Sequence, residues 1–374
     1  MVPPAPTLPD YGGACIASVV PALLGRSRTP PPSWLPAVAA TASQVVLLVL
    51  DGLGWIQLDQ RRELAPTLAA MQGGPITSVA PTTTATALTS LTTGLPPAVH
   101  GVVGYRVKVG PGSVMNVLRW RTAGGDARRA VPPGAFQPHP VFAGTSPPVV
   151  TRTEFASTGF SGAHLAGAAL HGWRLASAMA VEVRRQLEAG ERFVYAYYDG
   201  IDKVAHDKGF GDHYEAELVA TDRLVADLRD ALPAGAALVV TSDHGQVQVD
   251  QAAIPVAAEL MDRVELLSGE GRFRWLHAGP GAADDLVATA RALYGAVAWV
   301  HTRAELIERG WFGGVPAAEV EQRLGDVALI PFEPVAFDDP ADTGDVRLVC
   351  RHGSLTPEEC LVPLLATTGS GGGG

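Results

Sequence analysis

Three unbroken aliphatic runs stand out along this chain, and an acidic residue follows each. In SQVVLLVLDGLG (Ser43–Gly54) every position from Val45 to Leu50 is apolar before Asp51 and Gly52. RFVYAYYDG (Arg192–Gly200) and AALVVTSDHG (Ala236–Gly245) repeat the arrangement, ending at Asp199 and Asp243. Continuous rather than alternating hydrophobicity predicts strands buried on both faces, as in a parallel sheet covered by helices. PITSVAP at 75–81 predicts a further strand. Helical spacing appears in PTLAAM at 66–71, and in TATALTSLTTG, which stops at Gly94 with Pro96 and Pro97 behind it. HLAGAALHGWRLASAMAVEVRRQLEAG (164–190) predicts one or two helices closed by Gly190. HYEAELVATDRLVADLRDAL (213–232) predicts an amphipathic helix, apolar at Leu218, Leu224, Val225 and Leu228. The β-α-β-α-β succession gives an α/β fold: a mostly parallel sheet with helices on both faces and a smaller irregular or α+β lobe.

From Val102 to about Gly159 the period weakens, with many Gly, Pro and aromatic residues. Residues 250–340 mix short strands (RFRWLHAG, DVALIPF) with helices (ADDLVATARALY, PAAEVEQRLG), readable as a small lobe or as an extension of the sheet. The resulting division is an irregular lead-in over 1–42, Pro-rich at 28–36, a catalytic domain over 43–368 and a Gly/Ser tail over 369–374. Within the domain the core covers about 43–105, 160–250 and 340–368, with variable segments at about 106–159 and 251–339. No internal repeat is found.

With 374 residues, 47% of them hydrophobic, the chain has ample material for a large core. Its formal charge of -10 offers no basic surplus to neutralise a nucleic-acid backbone. Cys15, Cys350 and Cys360 form no CxxC pair, an expectation of a reducing compartment. The N-terminal apolar run is broken by Pro21 and has no basic residue before Arg26, unlike a signal peptide, and no run reaches membrane-spanning length. A cytoplasmic protein with no membrane partner is expected.

Candidate chemistry gathers where the runs end. In open parallel sheets ligands bind beyond the carboxyl ends of strands, so Asp51, the Asp199/Asp202 pair and Asp243 can meet in space. Any one Asp-Gly is first a turn signal. DKVAH puts Asp202 and His206 on one face of a helical turn, suited to one metal or to a simple surface ion pair. SDHG sets His244 beside Asp243, and carboxylate and imidazole are both good zinc ligands; a capping Asp with an exposed His is the plainer reading. His352 in CRHGSLTPEE is a further ligand candidate, while Cys350 is a competing soft ligand or, more simply, a buried apolar residue. PTTTATALTSL places Thr82, Thr83, Thr84 and Thr86 at the start of a helix, where a threonine serves as N-cap or, assisted by a metal or base, as nucleophile.

These motifs, in this order, resemble the type I phosphodiesterase/nucleotide pyrophosphatase branch of the alkaline phosphatase superfamily. The residues carrying the resemblance are Asp51-Gly52 after a buried strand, Pro81-Thr-x-Thr84 opening a helix that runs to TTG and HG, then Asp202-x-x-x-His206, Ser242-Asp-His-Gly and His352-Gly. The resemblance implies an alkaline-phosphatase-like domain, two zinc ions and a threonine nucleophile. It assigns Asp202, His206 and His352 to one metal. Asp51, Asp243 and His244 go to the other, with Thr84 bound to it as the nucleophile, preferred over Thr82, Thr83 and Thr86 by the motif. It implies two in-line displacements through a phosphothreonine, on a small phosphate-ester substrate.

The chain departs from the pattern in two places. Tyr105 stands where nucleotide pyrophosphatases carry a phosphate-binding asparagine, and ATAL follows the nucleophile in place of Phe-Pro-Asn. Both weaken the case for a nucleotide. Tyr105, Asn116 and Arg119 are candidates to line the substrate pocket; Arg106 and Trp120 lie in the same segment, which otherwise packs as a surface lobe. A phosphate monoester or phosphonate hydrolase remains the near alternative, and a non-catalytic metal-binding module the distant one. No Cys-x-Pro-x-Arg or Ser-x-Pro-x-Arg signature marks a sulfatase, and no GxGxxG follows the first strand as a dehydrogenase requires.

Overall fold

The structure, a computed structural model, describes residues 3–25, 30–249, 253–342 and 348–370. Residues 28 and 29 of the Pro-rich lead-in and 371–374 of the tail lie outside the described residues. Seven strands form the central sheet: β1 (Gln44–Leu50), β2 (Gln72–Thr77), β3 (Pro148–Arg152), β4 (Ala169–Trp173), β5 (Phe193–Tyr198), β6 (Ala236–Thr241) and β7 (Leu361–Thr368). They lie in the order β2-β7-β6-β1-β5-β3-β4. Pairings from β6 across to β4 are parallel, whereas β7 runs antiparallel to both of its neighbours.

β1 explains why the sheet needs cover on both sides. Val45, Leu47 and Val49 enter one apolar cluster with helices α1 (Ile16–Leu24) and α2 (Thr84–Thr93). Val46, Leu48 and Leu50 enter another with α3 (Met179–Glu188), α4 (Gly200–Lys208) and α5 (Asp212–Ala231). Strand period two thus splits one aliphatic run between two cores, worth roughly 1.5–3 kcal/mol per fully buried side chain.

The second expected lobe is a separate four-stranded antiparallel sheet with strands at Val264–Glu270, Phe273–Ala278, Val327–Pro331 and Ala298–Thr302, in that spatial order. The helix Ala283–Tyr294 covers one face through Leu286, Val287 and Ala290. The other face sends Phe273, Trp275, Trp299 and Ile330 into the main core. It is neither an extension of the central sheet nor an independent lobe. A smaller antiparallel sheet occupies Arg106–Gly110, Ser113–Asn116, Arg121–Thr122 and Gly125–Asp126.

Two expectations are corrected. The segment 106–159, read as variable, contributes β3 to the central sheet, and the helical stretch expected over 164–190 contains β4 ahead of α3. Neither strand carries a long aliphatic run; β3 pairs with β5 and β4 with β3, which supplies the missing backbone partners, and tertiary pairing overrides the helical preference of the Ala-rich sequence. The helix read in PAAEVEQRLG is confined to Ala318–Glu321. No helix among the described residues is long and apolar enough to cross a membrane.

Candidate metal centre and nucleophile

Strand register delivers the acidic residues to one place. Val49 pairs with Thr241 and Leu50 with Tyr198, so Asp51, Asp199 and Asp243 all emerge at the same carboxyl edge. Gly52 then turns at φ +75, in the left-handed region; a Cβ there would lie 2.6 Å from Gln246 Nε2 and 2.9 Å from Asp202 Cβ. The Asp-Gly pair is therefore both a turn and the means by which α4 reaches the strand end.

Asp51, Asp243 and His244 form one group, their ligand atoms within 4.8 Å of one another. His244 Nε2 is 3.6 Å from Asp51 Oδ1 and 3.4 Å from Asp243 Oδ2. Both of those carboxylate oxygens are buried without a hydrogen-bond donor. The other oxygens are engaged: Asp243 Oδ1 accepts from the main-chain N–H of Gly52 at 3.1 Å and of His244 at 3.0 Å, and Asp51 Oδ2 accepts from the Tyr197 hydroxyl. Burial, then the neighbouring Asp243 and Asp202 carboxylates, push the Asp51 carboxyl well above its ordinary range. Two orphaned carboxylate oxygens facing one imidazole nitrogen in a buried pocket need a cation, and this donor set fits one.

The second group is Asp202, His244 and His352, again within 4.8 Å. The partner expected for Asp202 and His352 was His206. It sits alongside, its Nε2 3.2 Å from Asp202 Oδ1 and its ring 5.2 Å from that of His352, while His244 and His352 stack at 3.6 Å. His244 thus bridges the two groups. The three imidazoles share one device: Nδ1 bonds to a main-chain carbonyl, of Cys350 for His206 (2.7 Å), Gly245 for His244 (3.1 Å) and Thr82 for His352 (2.8 Å). Donation from Nδ1 leaves Nε2 with its lone pair free, the tautomer a metal requires. Burial, then the other two histidines, holds His352 well below its ordinary pKa. For His206 burial pulls down, but the Asp202 carboxylate wins and the net shift is upward. Cys350 is buried and serves through its carbonyl.

The threonine run now separates by role. Thr82 Oγ1 donates to Ser354 O (2.8 Å) and accepts from Gly353 N (3.0 Å), tying the helix entrance to the loop that bears His352. Thr83 is the N-cap residue in extended conformation. Thr86 is buried, and Thr89, Thr92 and Thr93 bond back to carbonyls one turn earlier. Thr84, the first residue of α2, is the one among Thr82, Thr83, Thr84 and Thr86 whose hydroxyl is hydrogen-bonded to a candidate metal ligand, with Oγ1 3.1 Å from His244 Nε2. The open end of a ten-residue helix adds unpaired N–H groups and a positive dipole end beside that oxygen.

A cavity of about 230 Å³ opens from Asp51 and Thr84, walled by apolar side chains including Leu88, Leu118, Phe155 and Phe160. Of the residues proposed from sequence for a substrate pocket, Tyr105, Asn116 and Arg119 do not line it. Asn116 pairs within the small antiparallel sheet and its Oδ1 accepts from exposed Arg119 N at 3.0 Å, whereas neighbouring Leu118 lines the cavity. Asp199, expected with Asp202, pairs with Arg152 (2.7 Å) and Lys203 (2.6 Å). Sequence reasoning missed Tyr197, and Gln246, whose Nε2 donates to Asp202 Oδ1 at 2.9 Å. The signal for Tyr197 was strand alternation: it projects to the same face as Tyr195.

A buried carboxylate–imidazole centre at a strand edge, with a threonine hydroxyl at a helix start, defines the alkaline phosphatase superfamily architecture. Residues 45–354 match the type I phosphodiesterase/nucleotide pyrophosphatase family, and the chain belongs to that family. It is a phosphoester hydrolase by class. No curated protein matches it by sequence. Among solved structures it is similar to murine ectonucleotide pyrophosphatase/phosphodiesterase 5, with 17% identity, TM-score 0.63, and coverage of 86% of this chain and 87% of that one. An inactive variant of that murine protein was solved in complex with AMP. Similar too is phosphonoacetate hydrolase from Sinorhizobium meliloti 1021 in complex with phosphonoformate, with 19% identity, TM-score 0.63, and coverage of 88% and 91%.

Proposed function

We propose that the protein hydrolyses phosphate diesters, with Thr84 as nucleophile and two zinc ions held by Asp51, Asp243 and His244 and by Asp202, His206 and His352. The observation carrying this reading is the convergence of two orphaned buried carboxylate oxygens and Thr84 Oγ1 on Nε2 of the Nδ1-anchored His244. When bound, the ions supply positive charge that acidifies the threonine hydroxyl and stabilises phosphoryl and departing oxygens.

The remaining work belongs to the chain. The start of α2 orients Oγ1 and presents main-chain N–H groups to a phosphoryl oxygen. Oγ1 gives up its proton and forms a bond to phosphorus as the bond to the first alcohol oxygen breaks; that oxygen leaves with the electron pair and takes up a proton to become the free alcohol. Water then adds to phosphorus as the bond to Oγ1 breaks, one of its protons going to Oγ1 to restore the hydroxyl and the other passing to the phosphate product or solvent. Tyr197, Gln246 and the three histidine-anchoring carbonyls hold the ligand set in register.

A small ester rather than a polymer suits the net charge of -10. A cytoplasmic setting suits three buried cysteines with no disulfide. The second reading, a monoester or phosphonate hydrolase, draws on the likeness to phosphonoacetate hydrolase. A carboxylate-bearing phosphonate calls for a spare cation, and Arg152 and Lys203, at this edge of the sheet, are already paired with Asp199. The test compares an aryl phosphodiester with the matching aryl monoester on zinc-loaded protein, with and without chelator. A faster, chelator-sensitive diester reaction is expected; a faster monoester reaction transfers the protein to the second reading.

A further inference from the structure

The cavity beside Thr84 has a chemistry of its own. Its inner wall is Leu88, Leu118, Phe155, Phe160 and Leu165, with Phe160 stacked on His164 at 3.9 Å. The charged groups on its lining belong to the metal end (Asp51, Asp202) or to the paired Asp199–Lys203 contact. His164 donates Nδ1–H to Phe160 O (2.8 Å), and burial holds it neutral, its pKa pushed down to about 4. Tyr195 adds a polar signal. The residue is 1% exposed, it lines the cavity, and its hydroxyl has no hydrogen-bond partner. Leaving such a buried donor unpaired is unfavourable, so a hydrogen-bond acceptor on a ligand is the partner this wall lacks.

Size narrows the ligand further. An apolar cavity of about 150 Å³ takes up benzene, whereas pockets for drug-sized ligands start near 300 Å³. At about 230 Å³ this cavity matches one ring with a small substituent more closely than a base plus its sugar. The residue after the nucleophile, Ala85, is buried within α2 and offers no aromatic face.

We propose that this cavity is the specificity site for one ester group of the substrate, and that it selects a compact, uncharged, single-ring alcohol bearing a hydrogen-bond acceptor for Tyr195 over a nucleoside. The proposal rests on the phosphodiesterase reading for the reaction, but the cavity can be tested without turnover.

Binding of phenylphosphonate, methylphosphonate and thymidine monophosphate to zinc-supplemented protein is measured by calorimetry. Phenylphosphonate is expected to bind at least about tenfold tighter than either of the others. Leu118→Trp, which fills the cavity from a half-buried position, brings phenylphosphonate to the methylphosphonate level. The milder Tyr195→Phe removes a preference of about fivefold for pyridylphosphonate over phenylphosphonate, the worth of one hydrogen bond. In parallel, nitrophenyl diesters carrying methyl, phenyl or thymidine as the second group are assayed for turnover. Tightest binding by thymidine monophosphate, or equal binding by all three probes, overturns the cavity proposal even where diesters are hydrolysed. Preferred phenylphosphonate binding with no diester turnover upholds the cavity and removes the diesterase reading instead.

Discussion

The Tyr197 hydroxyl donates to Asp51 Oδ2, and that bond turns Oδ1 of the same carboxylate toward His244 Nε2. Tyr197 is thus a positioning residue for the metal pocket. Tyr197→Phe keeps the ring, which packs edge-on against Phe155 at 6.1 Å, and removes only the donor. Zinc affinity, read by chelator competition, is expected to fall about 10- to 100-fold. An unaltered zinc affinity refutes the assignment.

Thr84 is nearly buried but open to the cavity. Thr84→Ala removes the hydroxyl proposed as nucleophile while preserving the helix start, so kcat is expected to fall by roughly 10³-fold or more with zinc stoichiometry retained. Thr84→Ser restores a measurable part of the rate. Should Thr84→Ala turn over normally, the nucleophile lies elsewhere.

Asp243 is fully buried with Oδ2 unpartnered, so metal removal leaves an uncompensated acceptor. Chelator is expected to lower the thermal midpoint of the wild-type protein by several degrees, since an ion at 100 times its dissociation constant contributes about 2.7 kcal/mol. In Asp243→Asn the chelator-dependent difference should largely vanish. Scanning calorimetry with and without chelator measures both, and a full chelator effect in the variant speaks against Asp243 as a ligand.

His100 carries a pH signature away from the metal centre. Its Nδ1 accepts from Val102 N (3.1 Å) and its Nε2 bonds Ser90 Oγ (2.8 Å), which fixes the neutral ring. Burial, then His139 and Arg323, lowers its pKa to about 3. The unfolded chain therefore binds the extra proton first. The stability this histidine contributes is complete above its ordinary pKa near 6.5 and is lost as pH falls toward about 3. Relative to His100→Gln, the wild-type protein should lose up to about 1.4 kcal/mol per pH unit below that point. Denaturant titrations at a few pH values between 6.5 and 5 decide it; parallel profiles for the two proteins contradict the geometry.

A fifth expectation concerns the buried ion pair between Arg272 and Glu359, bidentate at 2.8 Å for both bonds. Glu359 also accepts from Ser354 N (3.0 Å), two residues from His352, so the pair links the second sheet to a ligand-bearing loop. Glu359→Gln leaves a buried guanidinium poorly compensated and should cost about 3–5 kcal/mol. Denaturation midpoints measure it, and a loss below 1 kcal/mol by roughly the scale of surface pairs would count against it.

The parts of this protein legible in its sequence are those where one physical effect dominates. Val45–Leu50 and Ala236–Val240 must be strands because nothing else buries both faces of such runs, and their acidic ends marked Asp51 and Asp243. β3 and β4 were illegible: they are short, β4 closes the sheet edge, and only the pairing of β3 with β5 and of β4 with β3 makes them strands. That Tyr105, Asn116 and Arg119 do not line the cavity beside Thr84 was illegible for a related reason, since the placement of a small sheet inserted after α2 is set by long-range packing. The threonine run offered four equivalent hydroxyls, and only the approach of His244 distinguishes Thr84.

β7 comes late in the chain yet lies inside the sheet, between β2 and β6. During synthesis on the ribosome, β2 emerges long before the strand it must pair with, and its sheet neighbours stay apart until Leu361–Thr368 threads between them. His352 precedes that strand by only a few residues. A nascent chain therefore cannot complete the group that contains His352 until that residue has emerged, long after Asp202 and His244, so the two groups are assembled at different times and the Asp51–Asp243–His244 group comes first.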